Sequence, residues 1–281
     1  MIKPISCFIY LSLTIAFCSR NKQNSIVHPV PIPPAYLDFQ TIGEIVIPSG
    51  YERAPVGKDS FGKWLRNVKL KKDSRIHLYD GRLKYNQSSQ FAVLDITVGN
   101  KDLQQCADAI LRLRAEYFYD QNNMDMIRFK ATDGTELSFA RWLKGERYKL
   151  SRDKLLPYIS GKSVNNKRIQ LEQFLEVVFA YCGTISLGKE THLVSDPNDI
   201  QIGDVFVKAG SPGHAMIIVD IAINRKGEKI FMLAQGLMPA QDIHIVRNLI
   251  DEKISPWYKF TSDPKIITPQ WVFYRNELKT W

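Results

Sequence analysis

An α+β domain, with a mixed and mainly antiparallel sheet flanked by helices, is what this sequence predicts, on three observations. Residues 203–235 hold three short β-rich apolar runs: Val205-Phe206-Val207, Ala215-Met216-Ile217-Ile218-Val219 and Ile230-Phe231-Met232-Leu233-Ala234. Gly, Pro and Asn turns at 208–213 and 224–227 divide them, the punctuation of consecutive antiparallel strands. Residues 102–118 and 166–182 instead repeat apolar side chains at helical spacing. No internal repeat and no second boundary interrupts residues 41–281, so sheet and helices belong to one domain.

The N-terminus reads as a targeting segment. Residues 1–18 carry Lys3 and then an apolar run from Cys7 to Phe17, too short to span a bilayer but suited to a signal-peptide core. The run stops at Cys18, as in a bacterial lipoprotein signal, where the cysteine becomes the lipidated terminus. Phe17 departs from that pattern, which favours a small residue before the cysteine; an ordinary cleaved signal is the alternative. Residues 19–40 form a tether whose His28-Pro29-Val30-Pro31-Ile32-Pro33-Pro34 favours extended polyproline geometry. The expected protein is exported to the cell envelope and held to a membrane by a lipid on Cys18.

Within the body, 43–48 is a short strand candidate, and Asp59-Ser60 caps a helix presenting Phe61, Trp64 and Leu65. Residues 75–81 read as a strand entering a turn, 82–90 as a polar connection, and 91–98 as the clearest strand of the N-terminal half. Asp102 is a good N-cap for a long helix with Leu103, Cys106, Ala107, Ile110, Leu113 and Tyr117 on one face. Thr135–Leu143 predicts a short helix and Asn166–Cys182 a stronger one, each closed by glycine. Residues 242–246 and 269–273 are further strand candidates, the latter an edge strand.

The composition is that of an ordinary globular protein, 44% hydrophobic and 24% charged. The formal charge of +9 comes from 38 basic and 29 acidic side chains spread along the chain. Its densest basic run, Lys69-Leu70-Lys71-Lys72, lacks the interleaved aromatics of an RNA-binding sheet, so no nucleic-acid partner is expected. A basic surface suits anionic lipid or wall polymer equally well. Of four cysteines, Cys106 and Cys182 fall in the body, where they either form one disulfide or stay as separate thiols. No Cys/His spacing marks a zinc site, and no cofactor is expected. A metal set from His214, His244 and Asp242 has no supporting pattern, Ser211 is disfavoured as a nucleophile because Pro212 follows it, and no carboxylate pair marks a glycosidase.

Three residues in chain order carry the chemistry. Cys106 near a helix N-terminus has its thiolate favoured by the helix dipole and free N–H groups. His214 at a strand start is placed to take the thiol proton, and Gln235 at the end of the next strand to hold the imidazole. Gln104 and Gln105 are candidate oxyanion donors. A buried structural thiol explains Cys106 without chemistry.

The pieces Gln105-Cys106-Ala107-Asp108, Gly203-Asp204-Val205-Phe206 and Gly213-His214-Ala215 resemble papain-like amidases of the bacterial envelope, including the NlpC/P60 and CHAP groups. That resemblance implies a papain-like core with a helical insertion, a Cys–His amidase activity and cell-wall peptides as substrate. Gln235 stands where those groups more often have His, Asn or an acid. The runs at 78–84, 93–96, 102–109, 210–215 and 238–244 also resemble an uncharacterised family of bacterial envelope proteins, catalogued as a domain of unknown function and often bearing a lipoprotein signal. That resemblance implies export and brings no activity. The competing expectation is a non-catalytic envelope module that binds peptide or glycan, with Cys106 structural.

Overall fold

The long strand β9 (His214–Asn224) and its partner β10 (Lys229–Gln235) form the middle of a nine-stranded sheet. Each is long enough to pair with different neighbours at its two ends. On one side the start of β9 pairs with β8 (Val205–Lys208) and its end with β1 (Tyr51–Arg53). On the other, the start of β10 pairs with β12 (Trp257–Lys259) and its end with β11 (His244–Val246). The sheet is completed by β2 (Gln90–Val93) beyond β11, and by β15 (Leu278–Thr280) and β7 (His192–Leu193) beyond β8; every pairing is antiparallel. This is a computed structural model, and it describes residues 38–161 and 165–281. The segment 1–18 with Cys18, and nearly all of the tether, lie outside the described residues.

Alternation along β9 sorts side chains between two layers. Ala215, Ile217 and Val219 join the larger core beneath the helices, whereas Met216 and Ile218 join a smaller one with Phe206, Phe231 and Phe273. A bulge between Met232 and Leu233 of β10 shifts the register, and beyond it Ile221 takes the smaller core and Ala222 the larger. Among the described residues five α-helices accompany the sheet: α1 (Phe61–Asn67), α2 (Cys106–Asp120), α3 (Phe139–Leu143), α4 (Lys167–Tyr181) and α5 (Thr184–Glu190). The hydroxyl of Ser60 accepts from Lys63 N–H at 3.1 Å, the cap the sequence predicts, and the Asn166 side chain accepts from Arg168 and Ile169 N–H at the start of α4. Helix α2 packs Ile110, Leu111, Leu113 and Ala115 into the larger core, and Glu116 joins it to α4 through Arg168 Nη2 at 2.7 Å. Three separate hairpins, β3 (Arg128–Lys130) with β4 (Glu136–Ser138), β5 (Glu146–Ser151) with β6 (Lys154–Ile159), and β13 (Lys265–Ile267) with β14 (Val272–Tyr274), sit outside the main sheet.

The α+β, antiparallel reading therefore holds, and several local expectations are corrected. Residues 43–48 form no strand; a 3₁₀ turn at Ile42–Glu44 buries Ile42 and Ile45 instead. Residues 75–81 make only isolated bridges, His77 to Leu83 and Leu78 to Gln241. The Thr135–Leu143 segment is a strand at Glu136–Ser138 before it turns into α3, because those residues pair with Arg128–Lys130. The 91–98 strand ends early, at Val93, and the 269–273 edge strand is a hairpin arm paired away from the main sheet. Asp102 does not cap α2. Its Oδ1 accepts from Ala240 N–H at 2.7 Å, and the helix begins three residues later than that cap implies, with Gln105 at the N-cap.

One buried charge pins the far end of β9. Asp220 is fully buried and accepts from Arg53 Nε at 2.8 Å and Arg66 Nε at 2.6 Å, joining β1 and α1 to the central strand. Removing the carboxylate leaves two guanidinium groups facing one another in a largely dry site. Asp220→Ala is expected to lower unfolding free energy by about 3–5 kcal/mol, measured by urea titration. A loss below about 1 kcal/mol contradicts the assignment.

Candidate active site

The start of α2 is held against the ends of β9 and β10. Gly236, next after Gln235, runs so close to the helix that an added Cβ would lie 2.7 Å from the Gln105 carbonyl oxygen and 3.1 Å from Ala109 Cβ. The Asp102–Ala240 bond ties the same two loops together. Gln105 N–H donates to Asp108 Oδ2 at 3.0 Å, closing the first turn of α2. Cys106 is thereby the first helical residue, half-buried, and the backbone N–H groups of Ala215, Ala107 and Cys106 lie near enough to its sulfur to favour the thiolate. Burial pushes the Cys106 thiol above its ordinary range and the Asp108 carboxyl adds to this, while the three N–H groups oppose it. The resting group is a neutral thiol.

His214 begins β9 at the end of a tight turn. There Gly213 has no room for a side chain, since an added Cβ would lie 2.4 Å from the Gly210 carbonyl oxygen. The imidazole is buried on the layer opposite α2, 5.8 Å from the Phe273 ring and 5.2 Å from the Trp271 ring. Its Nε2–H donates to Gln235 Oε1 at 2.7 Å. Burial lowers its basicity and the Gln235 oxygen partly restores it. Gln235, fully buried, spends its amide hydrogens on Gln270 Oε1 at 2.6 Å and His244 Nε2 at 3.0 Å. His244 Nδ1–H in turn donates to the Asp242 carbonyl at 2.9 Å. Complete burial drives the His244 imidazole down to about 3, assisted by the nearby Lys84 ammonium.

The structure thus brings His214 and Gln235 into direct contact and leaves the Cys106 sulfur near the backbone of Ala215, the residue after His214. Among the described residues no hydrogen bond joins Cys106 to His214. Gln104 is buried with no partner for its amide, beside a cavity of about 440 Å³ that it lines with Thr97, Arg112, Glu172 and Phe179. None of that cavity's lining residues belongs to the Cys–His–Gln group. Gln105 stays beside Cys106. Cys106 and Cys182 are both free thiols, and burial raises the Cys182 thiol far above its usual range. The carboxylate of Asp242 is engaged by Lys71 Nζ and His77 N–H, and among the described residues no three His, Cys, Asp or Glu side chains converge on a metal-sized site.

A family model described as domain of unknown function 4846 matches residues 43–280. The chain belongs to this family. No curated protein and no solved structure matches it. For this member of family 4846 the geometry therefore stands as the evidence on the site. Sequence reading missed the partners of Gln235: His244 entered only as a metal ligand and Gln270 only as part of an edge strand. Neither has a spacing signal, because the tail reaches Gln235 through the β13–β14 hairpin.

The neutral, buried His244 has a consequence for stability. An unfolded chain protonates this imidazole below its ordinary 6.5, whereas the folded protein resists protonation until about 3. Its contribution is therefore full above pH 6.5 and is lost as pH falls toward 3, at about 1.4 kcal/mol per pH unit. The stability difference between wild type and His244→Leu should be flat above pH 6.5 and move against the wild type below it; a flat difference down to pH 4 contradicts the assignment.

Proposed function

We propose that this protein is a papain-like thiol hydrolase that cleaves amide bonds, with cell-wall peptides as the substrate class. The observation that carries the reading is the Cys106 sulfur at the first turn of α2, close to the backbone of Ala215, the residue after His214, whose imidazole Nε2 is engaged by Gln235. With Nε2–H given to Gln235, the free lone pair of His214 is on Nδ1. In the reaction the Cys106 S–H proton passes to that nitrogen and the sulfur attacks the amide carbonyl carbon. The carbonyl oxygen, now negative, is met by the Cys106 backbone N–H and the Gln105 amide at the helix start. Imidazolium returns the proton to the departing nitrogen as the C–N bond breaks, leaving a thioester. Water, deprotonated by the same imidazole, then releases the acid and restores the thiol.

The neutral resting pair fits a base-assisted attack better than a preformed ion pair. His214 lies on the opposite layer from Cys106, so the proton transfer requires the imidazole to reach the sulfur around the start of β9, where His214 is the first strand residue. A second reading, a non-catalytic module that binds peptide or glycan, draws on the raised Cys106 thiol and on the cavity of about 540 Å³ lined by Trp64, Asp95, Arg112 and Arg168, whose lining does not include the thiol. Incubation with purified peptidoglycan, read as newly released amino groups, separates the two. The hydrolase reading expects cleavage, abolished by Cys106→Ala and lowered roughly 10²–10⁴-fold by His214→Ala. Binding without cleavage, unaltered by Cys106→Ala, favours the module.

We further propose export and lipid anchoring through Cys18, supported by the apolar run that ends there and by the Pro-rich segment after it. Cys18→Ser is expected to move the protein from the membrane to the soluble fraction; unchanged membrane association refutes the anchor.

A further inference from the structure

We infer that His244 is a positioning residue that fixes which face of the Gln235 amide, and hence which tautomer of His214, the site presents. The inference takes its catalytic meaning from the proposed hydrolase, but the hydrogen-bond polarity exists whether or not Cys106 reacts.

The reasoning starts from an ambiguity. A glutamine amide turned by 180° exchanges donor for acceptor, and a neutral imidazole has its proton on either nitrogen. His214, Gln235, Gln270 and His244 are all of this kind, so a chain built from them alone reads equally well in both directions. With the direction reversed, Gln235 would offer N–H to His214 Nε2, and the proton would sit on Nδ1, where it blocks the base. One member is not ambiguous. The Asp242 backbone carbonyl only accepts, so His244 Nδ1, 2.9 Å away, must carry the proton. His244 is fully buried and neutral, which leaves its Nε2 with a lone pair and no proton. That nitrogen, 3.0 Å from Gln235 Nε2, accepts one amide hydrogen and thereby turns Gln235 Oε1 toward His214. Gln270 takes the second amide hydrogen at 2.6 Å, but its own amide carries the same donor–acceptor ambiguity, so it follows the direction and does not set it. The Lys84 ammonium, buried and donating to Ser89 Oγ at 3.1 Å, adds a positive charge near His244 and disfavours a second proton on the ring. The polarity of the base is thus set by a backbone carbonyl two residues before His244.

Nitrogen-15 chemical shifts of labelled histidine rings read this directly, with only five histidines in the chain. In the wild type at neutral pH, His244 should be protonated on Nδ1 and His214 on Nε2. In His244→Leu, the His214 signals should shift toward a mixture of tautomers or to the Nδ1–H form. Gln270→Leu keeps the His244 acceptor and should keep His214 on Nε2–H. The inference is overturned by an Nδ1–H tautomer at His214 in the wild type, by an unchanged single Nε2–H tautomer in folded His244→Leu, or by loss of the tautomer in Gln270→Leu. Should His244→Leu fail to fold, the wild-type and Gln270→Leu spectra still decide. An inert Cys106 with these tautomers in place would defeat the hydrolase and leave the relay standing.

Discussion

The start of α2 lies so close to the end of β10 that position 236 admits only glycine, and the candidate site depends on that approach. Without it, Cys106 is an ordinary half-buried thiol on an amphipathic helix, and His214 a histidine at a strand end. The approach is enforced from both sides. Asp102 holds the loop before the helix to Ala240, and the apolar face of α2 docks on the Ala215, Ile217 and Val219 side of β9. A strand provides the histidine, a helix the sulfur, and a two-sided sheet the rigid floor that keeps them in register.

Placing a polar chain of two imidazoles and two amides at the end of an apolar sheet is energetically demanding. Each buried donor or acceptor left unpaired costs about 1–3 kcal/mol, so such a chain persists only when its members satisfy one another. Here the Gln235 amide uses its oxygen and both hydrogens. Trp271 and Phe273 cover the ring of His214, keeping water from competing for the His214–Gln235 bond. The same burial keeps both rings neutral at rest, which leaves a lone pair on His214 at the expense of its basicity. Gln104 is the contrast: its buried amide has no partner, and it faces a different part of the molecule.

Much of the frame was legible in the chain because it is locally encoded. The turns at 208–213 and 224–227 punctuate the central strands, and Ser60 and Asn166 cap their helices through their own side chains. Asp102 was misread since a helix-start aspartate looks the same whether its carboxylate caps the helix or reaches across to Ala240. Residues 43–48 and 75–81 have strand-like composition but lack a continuous ladder, which only tertiary structure supplies. For the site, Cys106, His214 and Gln235 could be chosen from residue type and position in their elements. The rest of the chain could not be: Gln270 reaches the site from the loop that joins β13 to β14, and the role of Asp242 rests on its backbone carbonyl, which no side-chain pattern records.

The central claim is that His214 acts as base on Cys106, and the rate of iodoacetamide alkylation of Cys106 against pH, in wild type and His214→Ala, tests it most directly. Mass analysis of the Cys106 peptide separates this thiol from Cys182. The predicted result is faster reaction of the wild type than of His214→Ala at each pH from 7 to about 8.5, because the imidazole takes the thiol proton as the sulfur attacks, without the low-pH plateau of a preformed thiolate. Identical profiles for the two proteins, rising only above pH 8.5, would contradict it.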